Sequence, residues 1–128
     1  MLPACTDLQR MRAFEEFLKA LPQVDIVPEN LLHAGCFCRT IRVPVGVTLT
    51  GALMKVPTIL IVSGHCVLTS DGKAEELKGS FVFDCAAGRK TAFLTLAETM
   101  ITCVFATQAT TVADAVREMT DDELARIE

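Results

Sequence analysis

The chain has 128 residues, 51% of them apolar, with 12 Lys+Arg against 16 Asp+Glu for a net charge of -4. It therefore reads as one acidic domain, spanning 1–128, with no general phosphate-seeking field around it. Tyr and Trp are absent and the aromatic residues are 7 Phe alone, which removes the polar-tipped rings used by sugar platforms and base stacks, so neither a nucleic-acid partner nor a carbohydrate is expected.

In chain order, residues 1–20 mix acids and bases among isolated apolar positions, so no export signal is expected. Thr6 followed by Gln9 resembles a capping box, and Leu8, Met11, Phe14, Leu18 and Leu21 recur at threes and fours until Pro22. That spacing predicts an amphipathic helix over 7–20, whose apolar stripe has to be covered by the rest of the domain or by a second subunit. From Leu31 to Ala106 the period changes to two. β-rich runs are expected at Cys36–Val43, Val47–Met54, Thr58–Ser63, Cys66–Thr69, Glu75–Lys78, Phe81–Cys85, Thr91–Leu96 and Met100–Ala106. Pro44-Val45-Gly46, Ser63-Gly64, Ser70-Asp71-Gly72 and Ala87-Gly88 supply the turn chemistry between them, with His65 at a hairpin and His33 in a loop. Short strands at this spacing predict a small antiparallel barrel over 31–106. The longest apolar stretch, Ile59 to Val62, is far below the ~20 residues that span a bilayer, so no membrane partner is expected. Thr111 caps a helix over Val112 to Met119, and Thr120 with Glu123 forms a second capping box, which extends the helical segment over 111–127. The 6 Cys read as reduced, with Cys66, Cys85 and Cys103 placed as small hydrophobes inside apolar runs. Helices with apolar stripes beside an open sheet edge make a homodimer the expected assembly.

The glycines and alternation of Gly46 to Gly64, and of Gly79, Phe81 and Ala86-Ala87-Gly88 up to Thr91, resemble the two-motif skeleton of the cupin superfamily. More narrowly, the stretches Leu21-Pro22-Gln23-Val24, Pro44-x-Gly46-x-x-x-x-Gly51, Ile59-Leu60-Ile61-Val62-Ser63-Gly64, Ala87-Gly88-x-Lys90 and Ala106-Thr107 resemble small cupin-like proteins of tailed bacteriophages and prophages. The resemblance implies a mainly β fold, a cupin-like jelly-roll barrel flanked by an N-terminal and a C-terminal helix. It also implies the cytoplasm of a bacterial host as the setting, and assembly into the virion as an accessory subunit.

The cupin frame places its metal-ligand positions at Ala52, Met54, Pro57 or Thr58, and Thr91, none of which is a His, Asp or Glu. A methyl, a thioether and hydroxyls do not replace a three-histidine or histidine–carboxylate set, so no metal or other cofactor is expected and no catalytic residue is assigned. By alternation Ala52, Met54, Thr91, Phe93 and Thr95 line the barrel, a mostly apolar set that reads as a packed core. His33-x-x-Cys36-x-Cys38 offers three donors in six residues, but two thiols on one strand face arise whenever a strand buries one side. Ser63, Ser70 and Ser80 lack a nucleophile elbow, and the glycines lack the spacing of a phosphate loop. The expected function is therefore non-catalytic: docking on itself and on another phage or host protein as a capsid-stabilising or tail-associated subunit. The alternative is capture of a small anion or nucleotide by Arg39, Arg42, Arg89 and Lys90.

Overall fold

The computed structural model describes residues 7–21 and 24–122. Helix α1 (Asp7–Lys19) leads into seven strands, β1 (Glu29–His33), β2 (Cys36–Val43), β3 (Thr48–Thr50), β4 (Thr58–Ser70), β5 (Lys73–Cys85), β6 (Ala92–Thr95) and β7 (Thr99–Ala106), followed by helix α2 (Val112–Met119). All pairings are antiparallel and the order across the sheet is β1-β2-β7-β4-β6-β3, with β5 along the other side of β4. The sheet curls because β4 serves two walls. Its first half, Ile59–Ser63, pairs with β7, and Cys66–Thr69 pairs with β6.

Where two separate hairpin strands are expected on either side of Ser63-Gly64, the chain instead runs straight through as one 13-residue strand. Gly64 makes this possible: at φ +146 it has no Cβ, and the backbone of Thr99 packs into the space a side chain would fill. Gly79 lies opposite Gly64 in the ladder at φ +117, and β5 runs unbroken through it from Glu75–Lys78 into Phe81–Cys85, with no backbone crowding the position of its absent Cβ. The true hairpin turns are two residues long with both at positive φ, Asp71-Gly72 and Ala34-Gly35, the geometry that matches strand twist. The second of them creates β1, a strand the alternation does not announce. His65 accordingly sits mid-strand opposite Lys78, and His33 ends β1 opposite Cys36.

α2 begins at Thr111, whose hydroxyl accepts the Asp114 N–H at 3.2 Å, and ends at Thr120, whose N–H returns to the Val116 carbonyl. Its buried face, Ala115, Val116 and Met119, seals one end of the barrel against Phe37 and Phe105, whose rings meet edge to face at 5.6 Å. The other end is filled by Val43, Val62, Cys66, Leu68, Leu77, Phe93 and Ile101. Each fully buried large side chain in these clusters contributes roughly 1.5–3 kcal/mol.

α1 departs from expectation in how it is attached. Of the predicted stripe Met11 is buried, but Leu8, Phe14 and Leu21 stay exposed. The helix is held through Glu15, one turn beyond Met11, which accepts a 2.6 Å hydrogen bond from Thr50 on β3. Thr6, and Glu123 with the expected helical continuation to 127, lie outside the described residues.

Candidate functional site

The inward side chains of the curled sheet form rows that can be followed across the ladders. The row nearest α2 holds Phe37 beside Phe105 and Thr58 beside Cys85. Arg39, Cys103, Leu60 and Phe83 follow, then Ile41, Ile101, Val62 and Phe81. Between this wall, β3, β6, α1 and the end of α2 lies a cavity of about 660 Å³. Its size falls in the range of small-molecule sites. It exists because the segment between β3 and β4 and the residues before β6 bring small side chains inward, Gly51, Ala52, Thr58, Ala86 and Thr91, while Ile41, Leu49, Leu60, Phe93 and Ile101 supply an apolar floor.

Arg39 stands in the middle row of this wall and is 9% exposed. Its Nε donates to Asn30 Oδ1 at 2.8 Å and its guanidinium carbon lies 5.8 Å from the Phe37 ring centroid, so β1 and the aromatic pair fix its position. Arg89 also lines the cavity, and its Nη2 donates to Ser70 at 2.9 Å and to Asp71 at 3.1 Å. Two thiols share the wall. Burial pushes Cys103 up despite the neighbouring charge of Arg39, and burial pushes Cys85 up despite Arg89. Both remain protonated at neutral pH and are poor nucleophiles.

The mouth is rimmed by charge, with Arg12, Glu15, Asp121 and Asp122 among its residues. Lys90, almost wholly buried, reaches Glu15 at 2.9 Å, Asp122 at 3.4 Å and the Gly51 carbonyl at 2.7 Å, while Arg12 reaches Asp122 at 3.1 Å. Asp122 also accepts the Leu53 N–H at 2.7 Å, and Thr120 donates to the Leu53 carbonyl at 2.6 Å, so the segment after α2 is stapled to the β3–β4 connection. Burial disfavours the charged Glu15, but the hydrogen bonds from Thr50 and Lys90 and the charges of Lys90 and Arg12 outweigh it and hold its carboxyl below the usual range. The same balance, with the Leu53 N–H and Arg12 leading, lowers Asp122.

The four cations read from the sequence do not converge. Arg39 and Arg89 line the cavity; Lys90 is engaged in the mouth network, and Arg42 lies on the outer face, 3.5 Å from Glu29. Arg39 and Arg42 are three apart on one strand and must point to opposite faces. Of the predicted lining, Ala52, Met54, Thr91 and Phe93 are on the cavity wall, whereas Thr95 is buried elsewhere, donating to the Pro44 carbonyl at 2.6 Å and accepting the Val47 N–H. The lining is not a packed core: the apolar plug fills only one end. Cys103, Leu60 and Ile41 were not assigned to the lining from the sequence, although strand parity with Arg39, Phe37 and Val43 is the signal that places Ile41 inside.

No family model and no curated protein matches the chain. Solved structures do match it: a cupin superfamily protein from Desulfitobacterium hafniense (13% identity, TM-score 0.54, covering 69% of this chain and 83% of that one), KdgF from a Halomonas species (13%, 0.55, 69% and 87%), and the cupin-2 domain of an XRE family transcriptional regulator from Enterobacter cloacae (14%, 0.52, 65% and 98%). The fold is cupin-like. At such identities the likeness concerns the fold alone, and the site has to be judged on its own residues.

The metal that the cupin resemblance implies does not fit them. Ala52, Met54, Thr58 and Thr91 all line the cavity, and they present a methyl, a thioether and two hydroxyls. His65 instead faces Glu76, 3.6 Å away, and exposed His33 ends β1; neither lines the cavity. Among the described residues no three His, Cys, Asp or Glu are grouped so as to hold an ion, His33, Cys36 and Cys38 included. Also among the described residues, no helix is long and apolar enough to cross a membrane.

Proposed function

We propose that this chain is a non-catalytic binding protein that holds a small organic molecule inside its cupin-like barrel. The single observation behind the reading is the cavity of about 660 Å³, apolar on its floor and polar at its mouth. The wall supports retention over chemistry: its thiols are protonated, and its carboxylates Glu15 and Asp122 are held by Lys90 and Arg12. The resemblance of the stretches between Leu21 and Thr107 to phage and prophage proteins suggests that the binding serves an accessory role in an infected host. The test is a thermal-shift screen of arylalkyl and alkyl compounds, charged and neutral, on the native chain and on Ala52→Phe, which fills the cavity. A ligand at 100 times its Kd stabilises the native chain by about 2.7 kcal/mol. A shift in the native chain that Ala52→Phe abolishes is the expected result; equal responses in the two proteins, or none in either, refute the reading.

A second reading, docking on a further copy of the chain, draws on the outer face of the sheet. Leu31, Cys38, Val104 and Ile59 form one row across β1, β2, β7 and β4, next to Ile61 and Val82, and Leu31, Ile59 and Val82 are exposed. Glu29 and Arg42 at one edge and Asp84 at the other give the rim both signs, which suits pairing of a face with itself. Light scattering on the native chain and on Val82→Glu tests it: a dimer that the variant converts to monomer is expected, and a native monomer at tens of micromolar rejects it. Detection in purified phage particles by mass spectrometry tests the virion assignment separately.

A further inference from the structure

The charges on the cavity wall define what the occupant should carry. Glu15, Asp121 and Asp122 are engaged by Lys90, Lys55 and Arg12, so none of them is set up to receive a cationic ligand. The arginines point the other way. Arg39 sits one row inside the aromatic pair, flanked along the ladder by Ile41 on its own strand and by Cys103 across it. A guanidinium has five N–H donors in a rigid fork, the Nε–H is used on Asn30, and the fork matches the two oxygens of a carboxylate. Arg89 adds an independent sign: its Nε is buried and, among the described residues, has no hydrogen-bond partner. A buried donor without an acceptor costs free energy that an incoming oxygen would recover.

We propose that the cavity takes a small carboxylic acid with an apolar body, its carboxylate on Arg39, on a wall that also carries Arg89, and its body against Ile41, Leu49, Leu60 and Phe93. The inference rests on the barrel cavity being a ligand site. It excludes the nucleotide class expected for four converging cations, because Arg42 and Lys90 are elsewhere and the wall carries one guanidinium at mid-depth and one at the turn before β6. For a cavity of this volume the acid has roughly ten to twenty non-hydrogen atoms.

The experiment is calorimetric titration of the native chain with matched pairs, 4-phenylbutanoate with 4-phenylbutanamide and octanoate with octanamide, and with phenyl phosphate, repeated on Arg39→Gln. The expected result is that at least one acid binds ten times or more tightly than its amide, and that Arg39→Gln brings the two together while leaving the amide unchanged. Amides that bind as well as their acids overturn the acid inference and leave the cavity reading standing. Failure of every acid and amide removes both. Phenyl phosphate bound more tightly than either acid overturns the carboxylate assignment. The acid–amide comparison on the native chain decides the matter even where Arg39→Gln does not fold.

Discussion

Gly64→Ala tests the feature on which the curled sheet depends, the passage of β4 from one wall to the other. Two costs arise at this position. The backbone has φ +146, a region that side chains rarely adopt, and forcing alanine into it costs about 1–3 kcal/mol. In addition the new methyl would stand 2.7 Å from the Glu98 carbonyl oxygen and 2.7 Å from both Cα and Oγ1 of Thr99. Two of these three are backbone, so β4 and β7 must separate locally, and such overpacking costs about another 1–3 kcal/mol. The sum, about 2–6 kcal/mol, is a large part of the 5–15 kcal/mol available to a domain, and corresponds to a fall in Tm of roughly 6–30 °C for a chain of this length. Gly46→Ala is the matched control, since it has φ +77 but nothing within 4 Å of the added methyl, and it should cost only about 1 kcal/mol. Urea denaturation of the three proteins, followed by circular dichroism, gives the comparison. Were Gly64 an ordinary turn glycine, as Ser63-Gly64 suggests in the sequence, the two variants would be equal; a difference below 1 kcal/mol refutes the continuous strand.

Phe37→Ala removes a fully buried ring from the seam between α2 and the barrel and should cost about 3–5 kcal/mol by denaturant melting, while Phe105→Ala in the wild-type and Phe37→Ala backgrounds should add less than the sum because the rings touch. Thr111→Ala deletes the cap of α2 and should cost about 1 kcal/mol, recovered in large part by Thr111→Asp. Glu15 and Asp122 have folded-state pKa values lowered from 4.5 and 3.8, so their contribution is complete above the unfolded values and is lost as pH falls through the folded ones. Stability measured between pH 6 and pH 2 should therefore drop on the acid side, and the double variant Glu15→Gln, Asp122→Asn should be less stable at pH 6 but flatter below pH 4; an unchanged acid limb contradicts the mouth network.

The fold class was readable because it rests on local rules that the tertiary structure obeys. Period-two alternation from Cys36 to Val43 and from Met100 to Ala106 marks β2 and β7, and Thr111 announces α2. The joins were less readable. A Gly inside an apolar run signals either a turn or a close approach of another backbone, and only the distant Thr99 decides for Gly64. β1 was missed because Glu29–His33 has a mixed composition and acquires its strand character from pairing with β2 across the Ala34-Gly35 turn.

The cavity illustrates a further limit, with a definite physical origin. Alternation tells which side chains face inward, and it places Ala52, Met54, Thr91 and Phe93 together, but whether inward residues fill the space depends on volumes contributed by segments far apart in sequence. The plug end closes because Val43 from β2, Val62 and Leu68 from the two halves of β4, and Phe93 from β6 pack into one cluster. Toward α2 the contributions are Gly51, Ala52, Thr58, Ala86 and Thr91, and Arg12 and Glu15 of α1 span the gap through ion pairs with Asp122, beyond α2, and with Lys90. Arg39 belongs to this second level by strand parity alone, three residues from Arg42 and therefore on the opposite face. A charge run read along the chain groups the two, while the pleat separates them and commits one to the interior and the other to the rim.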